Sequence, residues 1–447
     1  MTKKNISKFR MLTSIAVAAV MAFALVLPTA AYPWSTGEGP GNEAKSAITK
    51  KFDMPKGTTT PEALFTFVFV PQTIDDEPYD DGAKNMPQVG PITIPFSAAD
   101  DLPGSDAVIL VNKNDKSVLK ESTDLAAGVQ WPGVGVYVYT VSELDSGIII
   151  PTDAINAKTH YSEAEYTVEF WVDEDENGVL FVKYVNAITI KDYIDVFYPG
   201  DTEYEKVDPT PDRWDEEVTE KIEDGFSGII FTNTFWKSTG GGTTNPNKVA
   251  FQVTKTVTGL GSNKERDEYF TFNVTLFRPT LIEDVQEYTA YVLGANNQIV
   301  KSTANHPDTD SEGFFKVESD SLFTVKLKHG EKLMFVDLHV GARVEVEEAA
   351  HTRFIPSYEH NFDEGAYAKA TDAGTAWGFP RIGSDDKGPH YLPEGNDTKA
   401  DFINTLKNAT PMGLDVDDLP YVVLIGVAVA GLAGFIVFKS RKKTENA

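Results

Sequence analysis

Apolar and polar residues alternate with a period of two through most of this chain's interior. Leu64 to Val70 (LFTFVFV), Val134 to Val141 (VGVYVYTV) and Tyr166 to Val172 (YTVEFWV) are three such runs in the first half. Val249 to Val257 (VAFQVTKTV) and Tyr269 to Leu276 (YFTFNVTL) are two in the second. Successive side chains of a strand point to opposite faces, so each run has one face to bury and one to leave wet. Gly, Pro, Asn and Asp punctuate the runs, and no segment between the chain's two apolar ends holds a long helical period. The pattern predicts antiparallel β-sandwiches.

Both ends follow a different rule. Lys3, Lys4, Lys8 and Arg10 precede an apolar run from Met11 to Leu27 and the small residues Thr29, Ala30 and Ala31. This is the pattern of a secretory signal peptide, residues 1–31, which is excluded from the fold. Near the other end, residues 419–438 carry an uncharged stretch long enough to cross a bilayer as a helix. The basic tail at 439–447 follows, and the positive-inside rule places it in the cytoplasm with the body of the chain outside.

Between these ends the chain is too long for one core and suits two or three domains. The formal charge of −27 makes nucleic acid an unsuitable partner. The chain has no cysteine, although export would permit disulfides. Residues 43–237 and 248–407 read as two copies of one module. "AITKKFDMPKG" opens the first and "FQVTKTVTGLG" the second, while "YTVSE" matches "VEVEE" and "IIFTN" matches "ADFIN". Residues 238–247, rich in Gly and Thr, read as a linker. Residues 408–418 connect the second module to the membrane helix.

The alternation singles out polar residues on apolar faces. Ile48, Lys50, Phe52 and Met54 share one face of the opening strand, so Lys50 points inward and Lys51 outward. Phe251, Val253, Lys255 and Val257 line up in the same way. Tyr137, Tyr139, Val141 and Glu143 align, as do Val344, Val346 and Glu348, leaving Glu347 on the wet face. Ile229, Phe231, Asn233 and Phe235 share a face, as do Phe402 and Asn404. The lysine and the acid stand 93 residues apart in both modules.

Such groups are costly to bury unless they pair or react. Burial lowers a lysine's pKa and raises a glutamate's. A neutral ε-amine can attack a carboxamide carbon, with a protonated Glu143 or Glu348 polarising the carbonyl and moving protons. Ammonia would leave and an isopeptide bond, Lys50–Asn233 or Lys255–Asn404, would remain. The other reading is a buried Lys–Glu ion pair beside a hydrogen-bonded Asn, without chemistry.

These motifs ("ITKKFDM", "VTKTVTG", "YTVSE" and the closing "FTN") resemble the backbone pilins of Gram-positive bacteria, the streptococcal pilin isopeptide-linkage family. The likeness spans nearly the whole chain. It implies two tandem Cna B-type, reversed-immunoglobulin sandwiches, each stapled by a self-formed Lys–Asn bond promoted by Glu143 or Glu348. It also implies a sortase signal before the membrane helix. The matching segment here is Thr410, Pro411, Met412 and Gly413, with methionine where threonine is usual. A lysine that receives the next subunit's C-terminus is implied as well, and Lys221 is the nearest candidate, ahead of Lys206 and Lys191.

On this reading the partners are sortase, other pilin subunits, peptidoglycan and host surface ligands, and the site is the cell wall or a surface pilus. The protein is expected to be structural, not an enzyme, with no cofactor and no metal. The alternative is a monomeric wall-anchored adhesin that binds through the long polar loop at residues 361–397. Asp173 to Gly178 matches the first half of a calcium loop, but position twelve is Tyr184, and Asn177-Gly178 suits a hairpin turn better.

Overall fold

The computed structural model describes residues 35–79, 86–150, 154–191, 205–211, 226–259, 265–362, 368–370, 381–382, 390–395 and 398–406. Within them the regular structure is β apart from one short 3₁₀ turn at Ala98–Asp101. The two-module, all-β expectation holds. In each half an eight-stranded sheet faces a five-stranded one.

In the first half, the smaller sheet runs Val108–Val111, Asp115–Glu121, Thr49–Pro55, Ile230–Ser238, Ile155–His160. The larger has Leu180–Lys191, Glu165–Glu174, Gly135–Glu143 and Ala63–Ile74 as its successive long strands. Their inner faces meet in one core containing Phe52, Phe65, Phe67, Tyr139, Phe170, Phe231 and Phe235. In the second half Phe251–Thr258 and Thr398–Leu406 lie side by side in the larger sheet, while Phe270–Phe277 and Arg343–Glu348 pair in the smaller. Phe251, Phe270, Phe272, Phe335 and Phe402 fill that core. Extra strands thus widen opposite sheets of the two modules.

One topological fact positions everything that follows. In each module the first and last long strands are neighbours and run parallel. Parallel neighbours cannot be joined by a tight turn, so the rest of the module must lie between them in the chain.

Residues 238–247 are not a free tether. The Thr239 amide donates to the Leu338 carbonyl at 2.7 Å and the Gly242 amide to Val336 at 2.9 Å. Gly240 has a φ of +98°, and a Cβ there would collide with the Val336 carbonyl. The halves also touch directly: the Glu394 carboxylate accepts from the Thr59 amide at 2.8 Å and pairs with Lys237, while the Thr280 hydroxyl donates to Asp115. The hairpin reading of Asn177-Gly178 holds, since the Asp175 amide donates to Val179 and the Asp175 carboxylate accepts from the Asn177 amide at 2.9 Å.

The expected signal peptide, the expected membrane helix at 419–438, the basic tail, the Thr410–Gly413 segment and Lys221 lie outside the described residues. Among the described residues no helix is long and apolar enough to cross a membrane. Lys206 sits on the short strand Lys206–Val207, paired with Leu180–Lys191.

Candidate functional site

The opening strand Thr49–Pro55 carries Lys50 into the core, and the side chain is fully buried. Its neighbour Lys51 is half-buried and pairs with Asp53 on the opposite face. The closing strand Ile230–Ser238 places Phe231 opposite Lys50 and Asn233 opposite Phe52. Asn233 therefore lies two residues beyond the lysine on the same inner face. From the facing sheet, Glu143 ends the strand Gly135–Glu143 opposite Phe67. Its side chain is fully enclosed.

The three side chains converge. Lys50 Nζ lies 2.6 Å from Glu143 Oε2, and Asn233 Nδ2 donates to Glu143 Oε1 at 2.6 Å. Beneath the ammonium, the Phe65 ring centroid is 4.5 Å away and closes off water. Asn233 Oδ1 faces the other way and accepts from the Ser162 amide at 2.6 Å. A backbone N–H can only donate, so this contact fixes which end of the carboxamide is oxygen.

The second module repeats the geometry. Phe402 stands opposite Lys255 and Asn404 opposite Val257, the same two-residue offset on parallel strands. Glu348 ends its strand opposite Phe272, as Glu143 does opposite Phe67. Lys255 Nζ lies 2.8 Å from each Glu348 oxygen, and Asn404 Nδ2 donates to Glu348 Oε1 at 2.6 Å. The Phe270 centroid is 4.3 Å from the ammonium. Glu348 is buried and Glu347 half-buried. Asn404 Oδ1 is buried without a hydrogen-bond partner among the described residues.

Burial lowers the pKa of Lys50 to about 8, against the opposing pull of the Glu143 charge. It lowers Lys255 to about 8 in the same way, opposed by Glu348. Burial also raises Glu143, against the charge and hydrogen bond of Lys50. The two partners of the first site are thus pushed toward each other, which makes proton transfer between them inexpensive.

That arrangement can form an amide. Lys50 would give a proton to Glu143, the freed amine would attack the Asn233 Cγ, and the carboxyl would return a proton to the departing nitrogen. The sequence suggests that the acid polarises the carbonyl. In the structure the carboxylate instead contacts the carboxamide nitrogen, the leaving group. Alternation led to the six polar residues but missed Phe65, Phe270 and Ser162. The two rings were within reach, because Phe65-Thr66-Phe67 and Phe270-Thr271-Phe272 are matching triplets, each starting 15 residues after its lysine (65 − 50 and 270 − 255). Ser162 sits in a loop and carries no periodic signal.

Residues 249–376 match a family model described as a domain of unknown function, DUF7601. No curated protein matches the chain. Among solved structures it is similar to the major pilin from Streptococcus pyogenes, at 18% identity, with 82% of this chain and 99% of that one covered and a TM-score of 0.29. The major pilin T3.2 from Streptococcus pyogenes serotype GAS13637 gives 17%, 82%, 98% and 0.28 in the same order. The pilus-presented adhesin Spy0125 (Cpa), as a Cys426Ala mutant, gives 11%, 81%, 100% and 0.24.

Proposed function

We propose that this chain is a structural subunit of a covalently assembled cell-surface pilus, with each module stapled by a self-formed Lys–Asn isopeptide bond. The observation that carries the reading is the buried Lys–Glu–Asn set bridging the first and last strands, in the same register, in both modules. Two buried ion pairs alone would be weak reasons for keeping six polar groups in two cores, since apolar replacements of similar volume are often neutral or stabilising.

The topology gives the bonds a mechanical purpose. Tension enters the first module at Thr49 and leaves at Ser238. A bond between Lys50 and Asn233 routes it across the sheet and leaves the intervening chain, residues 51–232, unloaded. The second bond does the same between Lys255 and Asn404. A fibre subunit needs this and a free monomeric binder does not.

Assembly would use sortase acting at Thr410 to Gly413 and a lysine acceptor, for which Lys221 is the first candidate. Cell-wall extracts should show an SDS-resistant ladder of high-mass species that disappears on replacing the acceptor lysine. One monomeric band from wild-type walls would defeat the pilus reading and favour a wall-anchored adhesin.

A further inference from the structure

The two sites differ at the carboxamide oxygen. In the first, the carboxamide oxygen is held by a backbone N–H; in the second it has no partner among the described residues. Resting on the crosslink reading above, we infer that the Ser162 backbone amide is the oxyanion donor of the first site, and that the first module closes its bond faster than the second, where no such donor stands among the described residues.

The neighbouring strand explains the difference. In the first module the strand flanking Asn233 ends at His160, which stands opposite Thr234. The chain then leaves the sheet and turns the Ser162 amide onto the Asn233 oxygen. The turn is braced by the Ser162 hydroxyl, which accepts from the Ala164 amide at 3.3 Å. In the second module the flanking strand Phe354–His360 runs on past the site. The residue directly opposite Asn404 is Pro356, which has no N–H to give.

The chemistry places charge on that oxygen. One proton passes from the Lys50 ammonium to Glu143, and the Nζ lone pair forms a bond to Asn233 Cγ. The carbonyl π pair moves onto Oδ1, 2.6 Å from the Ser162 nitrogen. Glu143 then delivers its proton to Nδ2, the Cγ–Nδ2 bond breaks, and ammonia leaves. Nζ gives a second proton to Glu143, so the product is a secondary amide, ammonia and a protonated carboxyl. A donor fixed in a dry core before the reaction strengthens as the oxygen becomes anionic.

Chains recovered denatured and unreacted, then refolded by dilution, allow both bonds to be timed by peptide mass mapping. The Lys50–Asn233 peptide should form ahead of the Lys255–Asn404 peptide by about a hundredfold, the scale of one oxyanion donor. Ser162→Pro removes the N–H and should slow only the first bond. Ser162→Ala keeps the N–H but loses the hydroxyl brace, so it should slow the first bond much less than Ser162→Pro does. Equal rates in the wild type, or a faster second site, would overturn the donor assignment while leaving the crosslinks standing. The same holds for a folded Ser162→Pro variant that reacts at the wild-type rate. If Ser162→Pro does not fold, the wild-type rate comparison still decides. Absence of both bonds would overturn the crosslink reading, and this inference with it.

Discussion

Replacing Asn233 by alanine removes the acceptor of the first proposed bond but keeps the Lys50–Glu143 pair, so it separates the covalent link from the ion pair. The bond would close a loop of 184 residues (233 − 50 + 1). Treated like a disulfide, a loop of that length removes about 5 kcal/mol of chain entropy from the unfolded state. A domain of this size loses about 2–4 °C of Tm per kcal/mol, so the transition of the first module should fall by roughly 10–20 °C. The second bond would close 150 residues (404 − 255 + 1), nearly the same constraint. Asn404→Ala should therefore lower the other transition by a similar amount.

Intact mass and scanning calorimetry on the ectodomain test this together. The wild type should lack two ammonia masses, and Asn233→Ala one. Removing the carboxylate is a harsher perturbation, because Glu143→Ala strands a buried ammonium at a further cost of about 3–5 kcal/mol. Its Tm should fall below that of Asn233→Ala, although both lose the same bond. A wild-type mass equal to that of the sequence would refute the crosslink. So would a Tm for Asn233→Ala within about 3 °C of a wild type that does show the deficit, since the loop entropy could not then be acting.

Three further outcomes are expected. Reaction needs one proton shared by the pair, on the carboxyl while the amine attacks; because Lys50 and Lys255 sit at about 8, refolded chains should crosslink well at neutral pH and progressively slower above pH 8. A rate that keeps rising from pH 8 to 10 would show that the acid is not needed. Glu348→Gln should abolish only the second bond, and loss of both ammonia deficits would mean that the sites are not independent. His339, buried beside the junction with its Nδ1 3.2 Å from the Tyr288 hydroxyl, is lowered to about 4 by burial and then by Lys158. The unfolded chain binds that proton first, so stability is full above about pH 6.5 and drains by up to about 3 kcal/mol as pH falls toward 4. His339→Gln should flatten the pH 6.5–5 part of this curve, and an unchanged curve would exonerate the histidine.

The fold was legible because sandwiches are written in a period of two. Phe270–Phe277 shows it plainly, with each second residue buried along the strand. The same phase put Lys50, Glu348 and Asn404 on inner faces, since one residue of slip would have exposed Phe52, Val346 and Phe402. What alternation cannot show is register between strands distant in sequence. Nothing in the letters around Lys50 says that Phe231 stands opposite it, or that the two strands run parallel. The role of Ser162 is hidden for a related reason: it acts through its backbone, and a backbone N–H is the same for every residue but proline. The packed course of residues 238–247 was missed because Gly and Thr suit both a solvated tether and a tight strip of backbone lying on Val336 and Leu338.

On the proposed pilus reading the duplication acquires a physical reason. A fibre under tension fails at its weakest module, so one stapled sandwich in series with an unstapled one would gain nothing in strength. The register that brings Lys50, Glu143 and Asn233 together is kept in Lys255, Glu348 and Asn404, down to the offset of two residues and the phenylalanine opposite each acid. Elsewhere the modules have diverged: extra strands widen opposite sheets, and the acid-to-Asn spacing is 90 residues in one and 56 in the other. Geometry that stays fixed while the surrounding scaffold changes is geometry the proposed crosslink needs. A departure inside the site, the Asn404 oxygen that has no partner among the described residues, would affect how fast the second bond forms and not the force it bears once made.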